Sequence, residues 1–224
     1  MPTKLMMIFV GLDFIFAGCG GLLLGFSLVS EQRMRESPRV DNVTENLLLG
    51  ECPLTVGVVN AVFIFVTFLL SLPALFLPAN RGWLRAQGWL VVICATFTLG
   101  IGLAVWVDTL QTRAHLGELW DNETPLIQSL LQQKFDCCGY FNSTAPPFVQ
   151  DGTCINSLVA AQKGGCIGPF SSFANRYLDL IFTAAFGIVG VDALLVLCVA
   201  MVLQYRSEQE RYRHIDQKNG LGGL

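Results

Sequence analysis

Two kinds of residue in this chain have the type and placement to do chemistry. The first are carboxylates set inside apolar runs: Asp13 is the sole charge in residues 5–29, and Asp192 the sole charge in residues 180–203. A carboxylate at the centre of a bilayer costs about 2.5–3.5 kcal/mol on insertion scales, so each must be neutral, paired or turned toward a hydrated cavity. The second are the eight cysteines, Cys19, Cys52, Cys94, Cys137, Cys138, Cys154, Cys166 and Cys198. Four of them fall between 137 and 166 in a polar stretch, which suggests disulfides and an oxidising compartment. Metal chemistry is not indicated, because His115 and His214 stand far apart and outside any zinc-type cluster. No nucleophile–base constellation points to an enzyme, and no residue pattern asks for a cofactor.

Those residues need elements to hold them, and composition says which kind. Of 224 residues, 53% are hydrophobic and only 14% charged, against about 25% charged in globular domains. Mean hydropathy is +0.54. This balance excludes a disordered chain and an ordinary soluble enzyme, and a net charge of −3 leaves no bulk basic surface for nucleic acid. A membrane span needs about 20 apolar residues, since the hydrocarbon core is about 30 Å thick and a helix rises about 1.5 Å per residue.

Four stretches qualify: 5–29, 54–77, 86–107 and 180–203, the middle two without any charge. The first is too long for the core of a cleaved signal, and it carries an acid in mid-segment. Pro73 is tolerable near the end of the second, where neighbouring helices can shelter the carbonyl it frees. The fold expected is all-α and integral to a membrane. Around the four helices are a tail at 1–4, a small loop at 30–53, a short turn at 78–85, a large loop at 108–179 and a tail at 204–224.

Charge and sequons give the sidedness. With four spans, both tails and the short turn share one side. They hold seven cations (Lys4, Arg81, Arg85, Arg206, Arg211, Arg213, Lys218) against three acids. The two longer loops hold the same number of cations with an acidic excess, so the positive-inside rule puts the tails in the cytosol. Asn42-Val43-Thr44, Asn122-Glu123-Thr124 and Asn142-Ser143-Thr144 are glycosylation sequons, and all three fall in the loops read as external.

The most specific local pattern is Phe135-Asp136-Cys137-Cys138-Gly139-Tyr140, followed by Cys154 and Cys166. Adjacent cysteines cannot bridge each other without strain, because their side chains diverge. That leaves two pairings for four cysteines. Gly139 permits a positive φ and hence a sharp turn just after the pair.

With Cys137-Cys138-Gly139, Gly165-Cys166, four spans, a short and a long external loop and short tails, the chain resembles the tetraspanin family over its whole length. The resemblance implies the nested pairing Cys137–Cys166 and Cys138–Cys154. It also implies partners among other membrane proteins, tetraspanins and lipids, and a cavity between helix pairs that can take a sterol. Many members have Pro-x-x-Cys at the third cysteine, whereas here Asp151-Gly152-Thr153-Cys154 stands in its place. Residues 137–144 and 211–216 look similar to fungal tetraspanins linked to infection structures and host penetration. The resemblance therefore implies a non-enzymatic organiser of partner proteins in a plasma or vesicle membrane. A small transporter or channel using Asp13 and Asp192 is the alternative.

The remaining expectations concern placement. Asp13 and Asp192 fall at similar depths, so the two carboxyls could face each other and share a proton as a polar lock between helices, while Asn60 belongs to another layer. Gly11, Gly18 and Gly25 recur every seven residues, Gly21 and Gly25 form a Gly-x-x-x-Gly step, and Gly57 and Ala61 are spaced alike. Spans one and two are therefore expected to pack through small residues. Thr124 and Pro125 start a helix whose apolar face is Leu126, Ile127, Leu130, Leu131 and Phe135, packed near residues 116–120. The aperiodic stretch 140–163 resembles the family's variable, partner-contacting region, with Phe148 and Val149 expected at its exposed patch or else buried under the disulfides. Cys198 is the best acylation candidate of the apolar segments, with burial in the bundle as the other reading. Tyr212-Arg213-His214-Ile215 is a Tyr-x-x-bulky sorting pattern.

Overall fold

A computed structural model describes residues 2–52, 54–76, 81–110 and 112–218. Among them the chain is all-helical, with no strand and one isolated bridge between Thr144 and Pro147. Eight helices follow in order: α1 (Pro2–Met34), α2 (Val43–Glu51), α3 (Leu54–Phe76), α4 (Arg81–Leu110), α5 (Thr112–Asn122), α6 (Pro125–Phe135), α7 (Ser157–Lys163) and α8 (Ile167–Lys218). Four of them, α1, α3, α4 and α8, are long and apolar enough to cross a membrane. The four apolar stretches read from the sequence fall on these helices. α8 overruns its stretch at both ends, and α3 continues through Pro73. Of the short turn expected at 78–85, residues 78–80 lie outside the described residues, and 81–85 are helical, forming the start of α4.

Two compact units divide the chain. The first comprises Met1–Gly25, Val56–Gly100 and Ala185–Leu224; the second comprises Phe26–Thr55 and Ile101–Ala184. In the first, each long helix turns one stripe inward at alternating steps of three and four residues. The stripes are Phe9, Asp13, Phe16 and Gly20 on α1, Asn60, Ile64, Thr67 and Ser71 on α3, Leu84, Gln87, Val91, Cys94 and Thr98 on α4, and Ala185, Ile188, Asp192, Leu195, Val199 and Val202 on α8. That spacing keeps one face of a 3.6-residue helix toward its neighbours. The opposite faces carry exposed Met7, Phe14, Ile15, Leu22, Leu69, Leu194, Leu197 and Met201. Polar side chains inside and large apolar ones outside is the arrangement expected of helices solvated by lipid.

The glycine repeat does not make the close contact expected of it. Gly11, Gly18, Gly21 and Gly25 lie on the exposed face, where an added Cβ would meet nothing within 4 Å. Gly20 is the residue at close approach: a Cβ there would stand 2.6 Å from Ile64 Cγ2 and 3.7 Å from the Ala61 carbonyl. The seven-residue spacing fits a helix, but it leaves the orientation of the row undetermined.

The second unit has an aromatic core. Leu116, Trp120, Leu131, Tyr140, Phe170 and Ala174 are buried together with Val43 and Leu48 of α2. The Trp120 and Tyr140 rings lie 5.8 Å apart, as do those of Phe135 and Phe170. α6 begins where Thr124 and Pro125 indicated, with Pro125 supplying the φ of the first turn, although the Thr124 side chain makes no capping bond. Gln128 Nε2 instead donates to the Trp120 carbonyl at 2.7 Å. α6 ends on Asp136 in the left-handed region, φ 51°.

α2 and α7 stand where the sequence was read as irregular. The first is held by burial of Val43, Leu48 and Leu49. The second is held by its N-cap, Asn156, whose Oδ1 accepts from the Val159 N–H at 2.9 Å.

Candidate functional site

The stapled loop of the second unit is assembled at one joint. The Cys137 and Cys138 side chains diverge, and each finds its own partner. Cys137 is bonded to Cys166 and Cys138 to Cys154, with Cα–Cα distances of 5.0 and 5.9 Å. Gly139 has φ 73°, and a Cβ there would strike the Asn142 carbonyl. At Gly165 a Cβ would strike the carbonyls of Tyr140 and Phe141. Main-chain bonds knit these strands of chain together: Cys138 N to Gly164 O at 2.9 Å, Cys166 N to Gly139 O at 2.9 Å, and Ile167 N to Tyr140 O at 3.0 Å.

From α6, the buried amide of Gln132 holds the segment that follows. Its Oε1 accepts from Gly139 N (3.3 Å) and Val149 N (3.0 Å), and its Nε2 donates to Val149 O (2.8 Å) and Asp151 Oδ2 (3.1 Å). Asp151 shapes the turn into the third cysteine. Its Oδ1 accepts from Thr153 N and Cys154 N at 2.8 and 2.7 Å, and its Oδ2 also accepts from Ser129 Oγ at 2.8 Å. Partial burial alone would raise the Asp151 carboxyl. The donors from Cys154, Ser129, Thr153 and Gln132 outweigh it and hold the group below its ordinary value. Sequence reasoning missed Gln132; its only signal was an amide beside Leu131 on a short amphipathic helix.

Of the two readings of Phe148 and Val149, exposure or burial, the structure agrees better with burial. Phe148 packs against Cys138, Cys154 and Ala160, and Val149 is half-buried with both main-chain groups held by Gln132. Between Cys137 and Cys166 the large apolar side chains exposed are Phe141, Ile155 and Leu158, at 57%, 58% and 76%. Leu126 of α6, expected on the apolar face, is exposed as well, because it lies on the side of the helix turned away from the core. Phe148 is turned inward against the Cys138–Cys154 bridge and Ala160, where its ring gains apolar contact.

The sequon asparagines differ in setting. Asn142 is exposed, and its Oδ1 accepts from Thr144 N, Thr144 Oγ1 and Ala145 N. Asn122 is exposed near the end of α5. Asn42 is half-buried, accepting from Arg39 N and donating to Ser37 O, while Thr44 of its sequon is fully buried.

In the first unit the buried polar residues of the long apolar helices do not pair as expected. Asp13 is bonded by Ser71 Oγ and by Gln87 Nε2, the latter at 3.0 Å. Asp192 is buried, and both its oxygens lack a hydrogen-bond partner among the described residues. Equal depth on two helices does not set their azimuth, and Asp13 faces α3 and α4, where donors are available. Asn60 does form a separate layer, donating to Thr98 Oγ1 at 2.7 Å. Cys198 is buried with Leu195, Val199 and Val202, so its thiol is not presented for acylation in this arrangement. Tyr212 and Ile215 are exposed on a helical stretch of α8. Among the described residues no group of three His, Cys, Asp or Glu side chains is placed to hold a metal ion.

No family model, no curated protein and no solved structure matches this chain.

Proposed function

We propose that this chain is a tetraspanin-like membrane organiser, which binds partner membrane proteins through a disulfide-stapled external loop and clusters them laterally. The observation that carries the reading is the pair of nested staples, Cys137–Cys166 and Cys138–Cys154, closing on Gly139 in a segment that exposes Phe141, Ile155 and Leu158. A rigid joint that displays a few exposed apolar side chains suits recognition, since ordering costs are met before the partner arrives. In this reading the tails are cytosolic, the loops are glycosylated at Asn122 and Asn142, and the setting is a plasma or vesicle membrane. Fungal morphogenesis or host penetration is the process the loop and tail segments favour.

Two measurements test it. Mass-spectrometric mapping of native material should find both cysteine pairs; free Cys137 and Cys138 would overturn the assignment. Capture of membrane proteins in mild detergent should lose specific partners in the double variant Phe141→Ser, Leu158→Ser, and an unchanged partner set would remove the surface from the proposal. The unpartnered carboxyl of Asp192 favours a second reading as a small carrier. That reading requires reconstituted protein to move protons or solute in a manner abolished by Asp192→Asn.

A further inference from the structure

The protons around Asp13 can be counted. The Ser71 hydroxyl contacts two acceptors at once, Asp13 Oδ2 and the main-chain carbonyl of Phe68, the latter at 2.6 Å. A hydroxyl has one proton to give and lone pairs with which to accept. One proton cannot point straight at both acceptors, because hydrogen bonds weaken steeply away from linearity. A helical serine ordinarily spends its proton on a carbonyl of the preceding turn, and Phe68 is that residue here. The contact between Ser71 and Asp13 then lacks a hydrogen unless the carboxyl supplies it. Gln87 Nε2 donates to Oδ1 at 3.0 Å, which makes Oδ1 the acceptor and leaves Oδ2 to carry the hydrogen.

We infer that Asp13 is a proton-binding site, whose neutral carboxyl donates from Oδ2 to Ser71 Oγ while Ser71 donates to the Phe68 carbonyl. With the proton bound, every short contact at the site has one hydrogen. The carboxyl joins α1 to α3 through Ser71 and to α4 through Gln87. When the proton leaves, Ser71 has one hydrogen for two acceptors, so one bond of the chain is lost and a charge is left in an apolar site. Among the described residues no cation offsets that charge, and Ser71 and Gln87 are the groups that act on Asp13. The other titratable side chains buried in this unit are Cys19 on α1, Cys94 on α4, and Asp192 and Cys198 on α8. None of them is bonded to Asp13 among the described residues.

Infrared difference spectroscopy of the purified protein in lipid nanodiscs at pH 7 reads the carbonyl stretch of a protonated carboxyl, which exposed carboxylates do not show. The band should persist in Asp192→Asn, where Asp13 is the one acid left on the buried stripes of the four long helices, and should be lost in Asp13→Asn. In Ser71→Ala the band should move to higher frequency, because the bond that lowers it has been removed. No band in Asp192→Asn overturns the proton site, and a band unmoved by Ser71→Ala overturns the donation to Ser71. Should Asp13→Asn not yield folded protein, those two variants decide the matter by themselves.

Discussion

The bundle unit and the stapled-loop unit both bury polar side chains, and they use them for opposite ends. In the bundle the buried polar atoms mostly address one another across helices: Asp13 with Ser71 and Gln87, and Asn60 with Thr98. In the loop they address main chain: Gln132 serves Gly139 and Val149, and Asp151 serves Thr153 and Cys154. The reason is what the backbone needs. A long helix satisfies its own N–H and C=O groups, so its buried side chains are free to join helices. An irregular segment leaves buried main-chain groups to be satisfied by something else. Polar residues of similar type are thus cross-links in one unit and substitutes for secondary structure in the other.

Perturbing each unit separately sharpens that contrast. The largest effect is expected from removing the second staple. The pair Cys138→Ser, Cys154→Ser should destabilise the loop unit by about 2–5 kcal/mol. Segment 137–166 should become protease-sensitive, while circular dichroism retains the signal of the apolar helices. Next comes Gln132→Leu, which leaves the Gly139 and Val149 groups buried without partners at about 1–3 kcal/mol each. Hydrogen exchange should accelerate at those two amides first.

The bundle counterpart is steric. Gly20→Val forces a side chain into Ile64 and should cost about 1–3 kcal/mol by overpacking. Gly18→Val, on the exposed face, should leave the thermal midpoint unchanged. A smaller effect concerns acid. The Asp151 carboxyl is held below its ordinary value, so its contribution is complete above the unfolded pKa of about 3.9 and is lost as pH falls toward the folded value. Acid unfolding of the loop unit should therefore begin at higher pH than in Asp151→Asn, relative to each protein's neutral stability, and parallel curves would contradict this. The smallest stability effect belongs to Phe141→Ser and Leu158→Ser, within about 0.5 kcal/mol. Any change they cause should appear in partner capture and not in melting.

What could be read in advance followed the range of the interaction. The four apolar stretches, the start of α6 at Thr124-Pro125 and the divergence of Cys137 from Cys138 rest on local rules of length, φ and side-chain direction, and these were legible. α2 was not, because its nine residues form a helix only with Val43, Leu48 and Leu49 buried against other parts of the unit. α7 had a local signal in Asn156, three residues before Val159, but seven residues are too few for periodicity to register. The facing of the glycine row, the inward turn of Phe148 and the choice of Ser71 and Gln87 over Asp192 depend on azimuth and tertiary contact. Residue spacing along one helix does not encode those.

The joint at Gly139 and Gly165 has a consequence for how this chain can vary. Its contacts are made by main chain and by two sulfur bridges, and the two glycines admit no side chain. Little of the joint's stability is borrowed from the residues it displays. Much of the surface between 141 and 163 can therefore drift, lengthen or be exchanged for another recognition sequence, provided that Asp151, Cys154 and the apolar plug at Phe148 are kept. The joint works as a socket, and the exposed part of the loop is replaceable content.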